Sequence, residues 1–398
     1  MDHAVEILGR LIGYPTVSER SNLDLIDYAV DGLDGQGFRL VTTHDASEPK
    51  ANLLATIGPD VDGGVILSGH TDVVPVEGQE WTRDPFRATV EEGRVWGRGA
   101  TDMKGFIACA LAMAPAMAAA ELRRPIHLAL TYDEEVGCNG ARTMLADVIQ
   151  SGRRPGAVII GEPTEMKVVG AHKGCYEFTT EITGVERHAS MSAGGAGAIH
   201  AAARFVGLLD SLADELSGRA PDDSPFSPPG TTINVGRIHG GVARNITAGS
   251  AVFEWEVRPV RADDAGFVTE RVDAFVDEVL LPHMRREFPE ATVTTTTVGA
   301  VGAFRPVPDS DAIQLAQRLT GMGDMGVVSF GTEAGLYQEA GIPAAVCGPG
   351  QIDQAHRPDE YIELTQLEEC LGMLSRLVDE LTTLCPPPSG GNGPHEGG

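Results

Sequence analysis

The chain has no C-x-x-C pair and no short regular cysteine spacing. Its six cysteines, Cys109, Cys138, Cys175, Cys347, Cys370 and Cys385, are scattered. That argues against a disulfide framework and for reduced, mostly buried thiols in a cytosolic protein. Basic residues are scarce: 30 Lys and Arg stand against 57 Asp and Glu, a formal charge of -27, with a pI near 4.7. Nucleic acid and anionic membrane surfaces would be repelled, so neither is expected as a partner. Long hydrophobic runs are missing as well. The most apolar stretch, residues 106–120, is interrupted by Pro115 and falls short of the roughly 20 residues that span a bilayer. It reads instead as a buried Ala-rich helix. The N-terminus carries Asp2 and Glu6 rather than a basic segment leading into an apolar one, so no secretory signal is expected and a cytoplasmic location follows. No internal repeat is visible.

What is present is enough for a large core, with 42% apolar residues in 398, a length that favours two domains. Helical spacing of Val5, Leu8, Leu11 and Ile12 opens the chain, and a second helix fits 22–36. Strands follow at 39–43, 52–57, 64–68, 126–132 and 157–161, with helices between them, an alternating α/β pattern. After about Lys173 the order becomes β-α-β-β-α-β: 175–183, 198–217, 232–238, 251–260, 265–288 and 291–298. That order suits two helices on one face of an antiparallel sheet. The α/β pattern then resumes with a helix at 310–319, strands at 327–330 and 344–347, and a helix at 365–384. The expected fold class is therefore α/β: a discontinuous domain over 1–173 and 291–385, with a mixed central sheet flanked by helices, interrupted by an inserted α+β domain over 174–290. Residues 386–398, P-P-P-S-G-G-N-G-P-H-E-G-G, are expected to form a disordered tail.

Three segments carry chemistry: S-G-H-T-D-V-V-P-V (68–76), G-R-G-A-T-D-M-K-G (97–105) and Y-D-E-E-V-G (132–137). Each follows or trails a short apolar run, so their side chains would gather at one sheet edge. Strand alternation puts His70 and Asp72 on one side, where Asp72 can accept a hydrogen bond from the imidazole nitrogen turned away from a metal. Asp102 could bridge two cations about 3.5 to 4 Å apart, as two-metal hydrolysis requires, or could simply cap the helix that follows. Glu134 and Glu135 diverge at the end of a strand, so one can ligate while the other faces substrate; a solvated acidic turn is the plainer alternative. Glu162 follows an apolar strand in V-I-I-G-E-P-T, and His356 sits in a loop before the last helix. Three carboxylates (Asp102, Glu135, Glu162) and two neutral imidazoles (His70, His356) bring about -3 against the +4 of two divalent ions, and a hydroxide would neutralise the remainder. Oxygen and nitrogen donors without thiolate suit zinc, with cobalt or manganese as alternatives.

Together with G-E-P-T-E-M-K (161–167), A-H-K-G (171–174) and F-G-T-E-A-G-L-Y-Q (330–338), these motifs closely resemble the two-zinc deacylase and aminopeptidase family that holds succinyl-diaminopimelate desuccinylase and carboxypeptidase G. The likeness runs from about Leu11 to Leu384. It implies that His70, Asp102 and Glu162 bind one zinc and that Asp102, Glu135 and His356 bind the other. Asp72 would orient His70, and Glu134 would be the general base. The inserted domain would be a lid and dimerisation unit of a homodimer, its His188 reaching the partner subunit's site. Asn245, Arg258 and Thr332 would hold the substrate's α-carboxylate. The implied reaction is cleavage of a small N-acyl amino acid, N2-acetyl-L-ornithine to L-ornithine and acetate in arginine biosynthesis, with a succinylated diaminopimelate or another N-acyl amino acid as the alternative. A metal-free scaffold would be expected to show gaps among the ligands, and every position is filled. Two departures from the family pattern, the Gly-rich 190–199 and R-N-I-T at 244–247 without a following Pro, bear on dimer contacts and acyl choice rather than on metal chemistry.

Overall fold

A computed structural model of the chain describes residues 1–47, 49–150, 152, 154–191 and 196–382. The expected tail at 386–398 and the centre of the Gly-rich segment at 190–199 lie outside them. The larger of the two main sheets has eight strands in the order Arg39–His44, Ala51–Ile57, Ile126–Thr131, Val65–His70, Ala157–Pro163, Ala344–Gly348, Val169–His172 and Gly326–Val328. The middle four run parallel and the flanks are antiparallel or mixed, so the sheet is mixed as expected.

Val65–His70 and Ala157–Pro163 are buried at every residue, the signature of parallel strands covered on both faces. Alternate side chains feed two cores. Val65, Leu67, Leu128, Leu130 and Ile159 pack with Leu8, Leu11, Phe106, Leu367 and Leu374 from helices on one side. Ile66, Ala129, Val158, Ile160 and Val346 pack with Met144, Leu145, Leu336 and Tyr337 on the other. The stretch expected as one Ala-rich helix is two, Gly105–Ala112 and Ala114–Ala119, with Pro115 in the first turn of the second, where its missing N–H costs nothing. Gly161 stands where the strand meets that layer: a Cβ there would come within 2.0 Å of the Phe106 ring.

The second sheet is antiparallel, in the order Thr232–Gly240, Ser250–Arg258, Cys175–Thr183 and Thr292–Val301. Ala251, Phe253, Trp255 and Val257 are buried while the residues between them are not, the period-2 pattern of a half-covered sheet. The covered face packs against Phe205, Leu209 and Leu212 of Ala198–Ser217 and Val268 and Val272 of Asp264–Phe275. Because Thr292–Val301 pairs with Cys175–Thr183 along its length, this sheet runs to Val301, past the boundary expected at 290. The two chain crossings are paired with each other, since His172 and Phe304 exchange both backbone hydrogen bonds, at 2.9 and 3.1 Å.

A small third sheet joins Thr89–Glu91, Arg94–Trp96 and Tyr361–Glu363. Its three-residue strands and Val169–His172 were not anticipated, being too short to show a period.

Phe253 is fully buried and meets Phe205 edge-on at 5.0 Å between ring centroids. Phe253→Ala is expected to destabilise the second core by about 3–5 kcal/mol, read as a lower urea midpoint.

Candidate metal centre

The carboxyl ends of the four parallel strands converge, which is where α/β sheets place ligands. His70 ends Val65–His70, Glu134 and Glu135 follow Ile126–Thr131, Glu162 is next to last in Ala157–Pro163, and the loop after Ala344–Gly348 leads to His356. Asp102 arrives from the side, in the tight turn Ala100–Lys104, and the helix that follows takes Lys104, not Asp102, as its N-cap. The Asp102 side chain turns inward instead.

The Asp102 carboxylate divides its oxygens between two imidazoles. Oδ1 is 3.0 Å from His70 Nε2 and Oδ2 is 3.2 Å from His356 Nε2. On the first side Glu162 Oε1 comes within 3.6 Å of His70 Nε2. On the second, Glu135 Oε2 is 3.1 Å from His356 Nε2. Ligand atoms of His70, Glu134 and Glu162, and again of His70, Asp102 and Glu135, lie within 4.8 Å of one another.

Asp72 works differently from the expectation. His70 Nδ1 is 2.9 Å from the Asp72 main-chain oxygen and 3.6 Å from its carboxylate, too long for a hydrogen bond. The carboxylate accepts instead from the backbone N–H groups of Glu134, at 3.1 Å, and Glu135, at 3.3 Å, and from the Ser18 hydroxyl at 2.7 Å. Asp72 thus holds His70 with its main chain and the Glu134–Glu135 pair with its side chain.

The charges do not balance within the protein. Burial first, then the neighbouring Asp102 charge, raises the Glu162 carboxyl well above its usual value. Burial and the charges of Glu135, Asp102 and Glu333 do the same to Glu134 against the pull of His70, and Glu135 is raised by burial and Asp102. For Asp102, hydrogen bonds to His356 and His70 overcome burial and lower it. For His70, the hydrogen bond to Asp102 and the nearby carboxylates of Asp72 and Glu162 overcome burial and raise it. Bonds to Asp102 and Glu135 push His356 up to about 11. Like charges held this close need protons or cations between them. Three carboxylates and two imidazoles, arranged as two half-sites around one shared carboxylate, fit a pair of divalent ions.

Beside this cluster is a cavity of about 510 Å³ between the two main sheets, lined by Glu134, Glu135 and His356 from the first and Cys175, Glu177 and Arg258 from the second. Arg258 is in place in the wall but already bonded to Glu256, with Nη2 at 2.7 Å. The other expected substrate contacts, Thr332 and Asn245, and His188 are not in the lining. Thr332 is buried, its hydroxyl 3.0 Å from His172 Nε2 and accepting the Ala334 N–H. Asn245 sits in an exposed turn that accepts the Ala189 N–H. His188 is exposed, with Nδ1 2.7 Å from Ser190 Oγ.

Two buried acids were missed. Glu333, under the site, accepts from Ser68 Oγ at 2.8 Å and Thr131 Oγ1 at 2.5 Å. Glu360 accepts from the backbone of the loop that carries Asp102. Glu333 lay inside a quoted motif, and Glu360 followed His356 in R-P-D-E-Y; neither had a distinguishing neighbour in sequence.

Residues 66–380 match peptidase family M20/M25/M40. The acetylornithine deacetylase of Myxococcus xanthus is 37% identical over 376 residues, covering 93% of this chain and 95% of that protein. Among solved structures, the fold is shared with the M20 family metallo-carboxypeptidase Sso-CP2 from Sulfolobus solfataricus, at TM-score 0.75, 18% identity and coverage of 96% of this chain and 100% of the other. It is also shared with the YXEP protein of Bacillus subtilis, a dinuclear metal binding peptidase from the M20 family, at TM-score 0.64, 17% identity and coverage of 96% and 99%.

The raised His356 value fixes the sign of a pH effect. In the metal-free chain its pairing stabilises the fold fully below about 6.5, the usual histidine value, and the contribution is lost as pH rises through about 11. A cation must displace that proton, so zinc affinity is expected to rise with pH all the way up to about 11, with net proton release. Calorimetry in buffers of different ionisation enthalpy measures both, and uptake without proton release would remove His356 from the ligands.

Proposed function

From the premise that this chain belongs to peptidase family M20/M25/M40 and is a hydrolase of it, we propose that it deacetylates N2-acetyl-L-ornithine to L-ornithine and acetate. The substrate reading rests on the 37% identity to the Myxococcus xanthus acetylornithine deacetylase across nearly the whole of both chains. The chemistry rests on Asp102 facing two imidazoles with its separate oxygens.

In this reading His70, Asp102 and Glu162 hold one divalent ion and Asp102, Glu135 and His356 hold the other, zinc being the metal that suits these donors. When bound, such ions supply Lewis acidity and make water acidic enough to attack at neutral pH. The protein's own part is proton handling and orientation. Glu134 lines the cavity next to the ligands, its backbone fixed to Asp72, and it takes a proton from the attacking water and delivers it to the departing amine nitrogen. Its raised carboxyl shows how poorly the bare site tolerates its charge; bound cations make the ionised base affordable. Arg258 is the guanidinium in the wall that can receive the substrate's α-carboxylate.

The acyl choice follows from charge. The lining holds Glu134, Glu135 and Glu177 against Arg258 and His356. With His356 committed to the ligand set, one cation remains among the described lining residues, Arg258, enough for an α-carboxylate but not for a second one on a succinyl group. His188 and Asn245 sit on the second sheet's unit, away from this chain's own cavity lining, which supports a homodimer in which each reaches its partner's site. The 174–301 stretch is then a lid and dimerisation unit, and the enzyme acts in the cytoplasm in arginine biosynthesis.

Purified protein is expected to turn over acetylornithine much faster than succinyl-diaminopimelate; the reverse preference overturns the substrate. Glu134→Ala should lower turnover at least about 100-fold while elemental analysis finds the metal content unchanged. Loss of metal in that variant would make Glu134 a ligand and exchange its role with Glu135.

A further inference from the structure

Arg98 and Glu360 form an ion pair at 2.7 Å with both side chains only 1% exposed, and nothing in the reaction uses them. Each does more than neutralise the other. Glu360 Oε2 also accepts the Gly99 N–H at 3.0 Å, and its Oε1 accepts the N–H groups of Thr101 at 2.9 Å and Asp102 at 3.2 Å. The backbone of the shared ligand Asp102 therefore hangs from this carboxylate. Arg98 reaches the other way: Nη1 donates to the Arg357 carbonyl at 3.2 Å, and Nη2 donates to Gln79 Oε1 at 2.6 Å. Gln79 Nε2 in turn donates to the His356 carbonyl at 2.9 Å. His356 itself stands at a φ of 62°, a conformation that an ordinary residue keeps only when its surroundings impose it.

The pair thus ties the loop of Asp102 to the loop of His356. The opposite half-site is built differently. His70 and Glu162 stand on neighbouring parallel strands, and among the described residues neither bonds to Arg98, Gln79 or Glu360. Asp102 aside, the first half-site is held by the sheet, whereas His356 in the second is held through this buried hub.

We propose that Gln79 and Arg98 are positioning residues that act through His356 to set the affinity of the second cation site, Asp102–Glu135–His356, separately from the first, while Glu360 positions the Asp102 that both sites share. The proposal rests on the two-ion reading given above. Truncating Glu360 would strand Arg98 as an uncompensated buried charge, a large cost to folding. Gln79 is only partly buried and offers the cleaner cut, since Gln79→Ala breaks the link to His356 and leaves the ion pair in place.

The test is stepwise zinc titration of the metal-stripped protein by calorimetry, with the melting transition of the apo form as a second readout. Support is a second equivalent weakened by about 10- to 100-fold, the usual effect of removing a group that orients a ligand, with the first equivalent and apo melting unchanged. Glu360→Gln, where it folds, should weaken both equivalents, because the loop it holds carries the ligand they share. In Gln79→Ala, equal weakening of both equivalents or no change in either overturns the proposal while leaving the two-ion reading intact. Wild-type protein that binds fewer than two zinc ions overturns both.

Discussion

Carboxylates buried side by side repel one another, and that repulsion is the constraint around which this chain is organised. Asp102, Glu134, Glu135 and Glu162 converge with His70 and His356 on one edge of a sheet, and Asp72 and Glu333 stand just behind them. The cost of bringing them together is met by the fold before any ion arrives. Backbone N–H groups and hydroxyls satisfy Asp72 and Glu333, while the remaining oxygens are left pointing at each other and at two imidazoles. An apolar core on either face of the sheet keeps the strand ends from relaxing apart.

The four parallel strands explain why five of the six side chains, so far apart in sequence, can meet; Asp102 joins them from the turn Ala100–Lys104. Each strand is largely apolar and carries its polar residue at or just past its end, so the register that buries Ile66, Leu67, Ile159 and Ile160 also delivers His70 and Glu162 to the same edge. The antiparallel sheet contributes the far wall of the cavity, with Arg258 at the end of Ser250–Arg258 and Glu177 on the adjacent strand.

Much of this was legible in sequence, because apolar runs followed by acids or histidine are unusual and the motifs repeat the pattern four times. The residues that hold the ligands were not. Glu360 receives donors from 258 to 262 residues earlier in the chain, so in R-P-D-E-Y it looks like any solvated acid. Asp72 was assigned the right neighbour but the wrong atom, since side-chain alternation says nothing about a main-chain oxygen. Thr332 was read as a substrate contact, whereas its hydroxyl is spent on His172 and a helix start. The last strand of the second sheet was expected at 291–298, beyond a domain boundary set at 290; it runs on to Val301, with little apolar rhythm to mark where pairing stops.

A carboxylate whose two oxygens face different imidazoles cannot answer to one of them alone. Any rotation of Asp102 that improves its fit on the His70 side changes what it presents to His356. The two halves are therefore linked in the thermodynamic sense: whatever the first occupant does to the grip on the second, the second must do in equal measure to the first. Loading such a centre is stepwise but coupled, and its half-filled state is a distinct species with its own geometry.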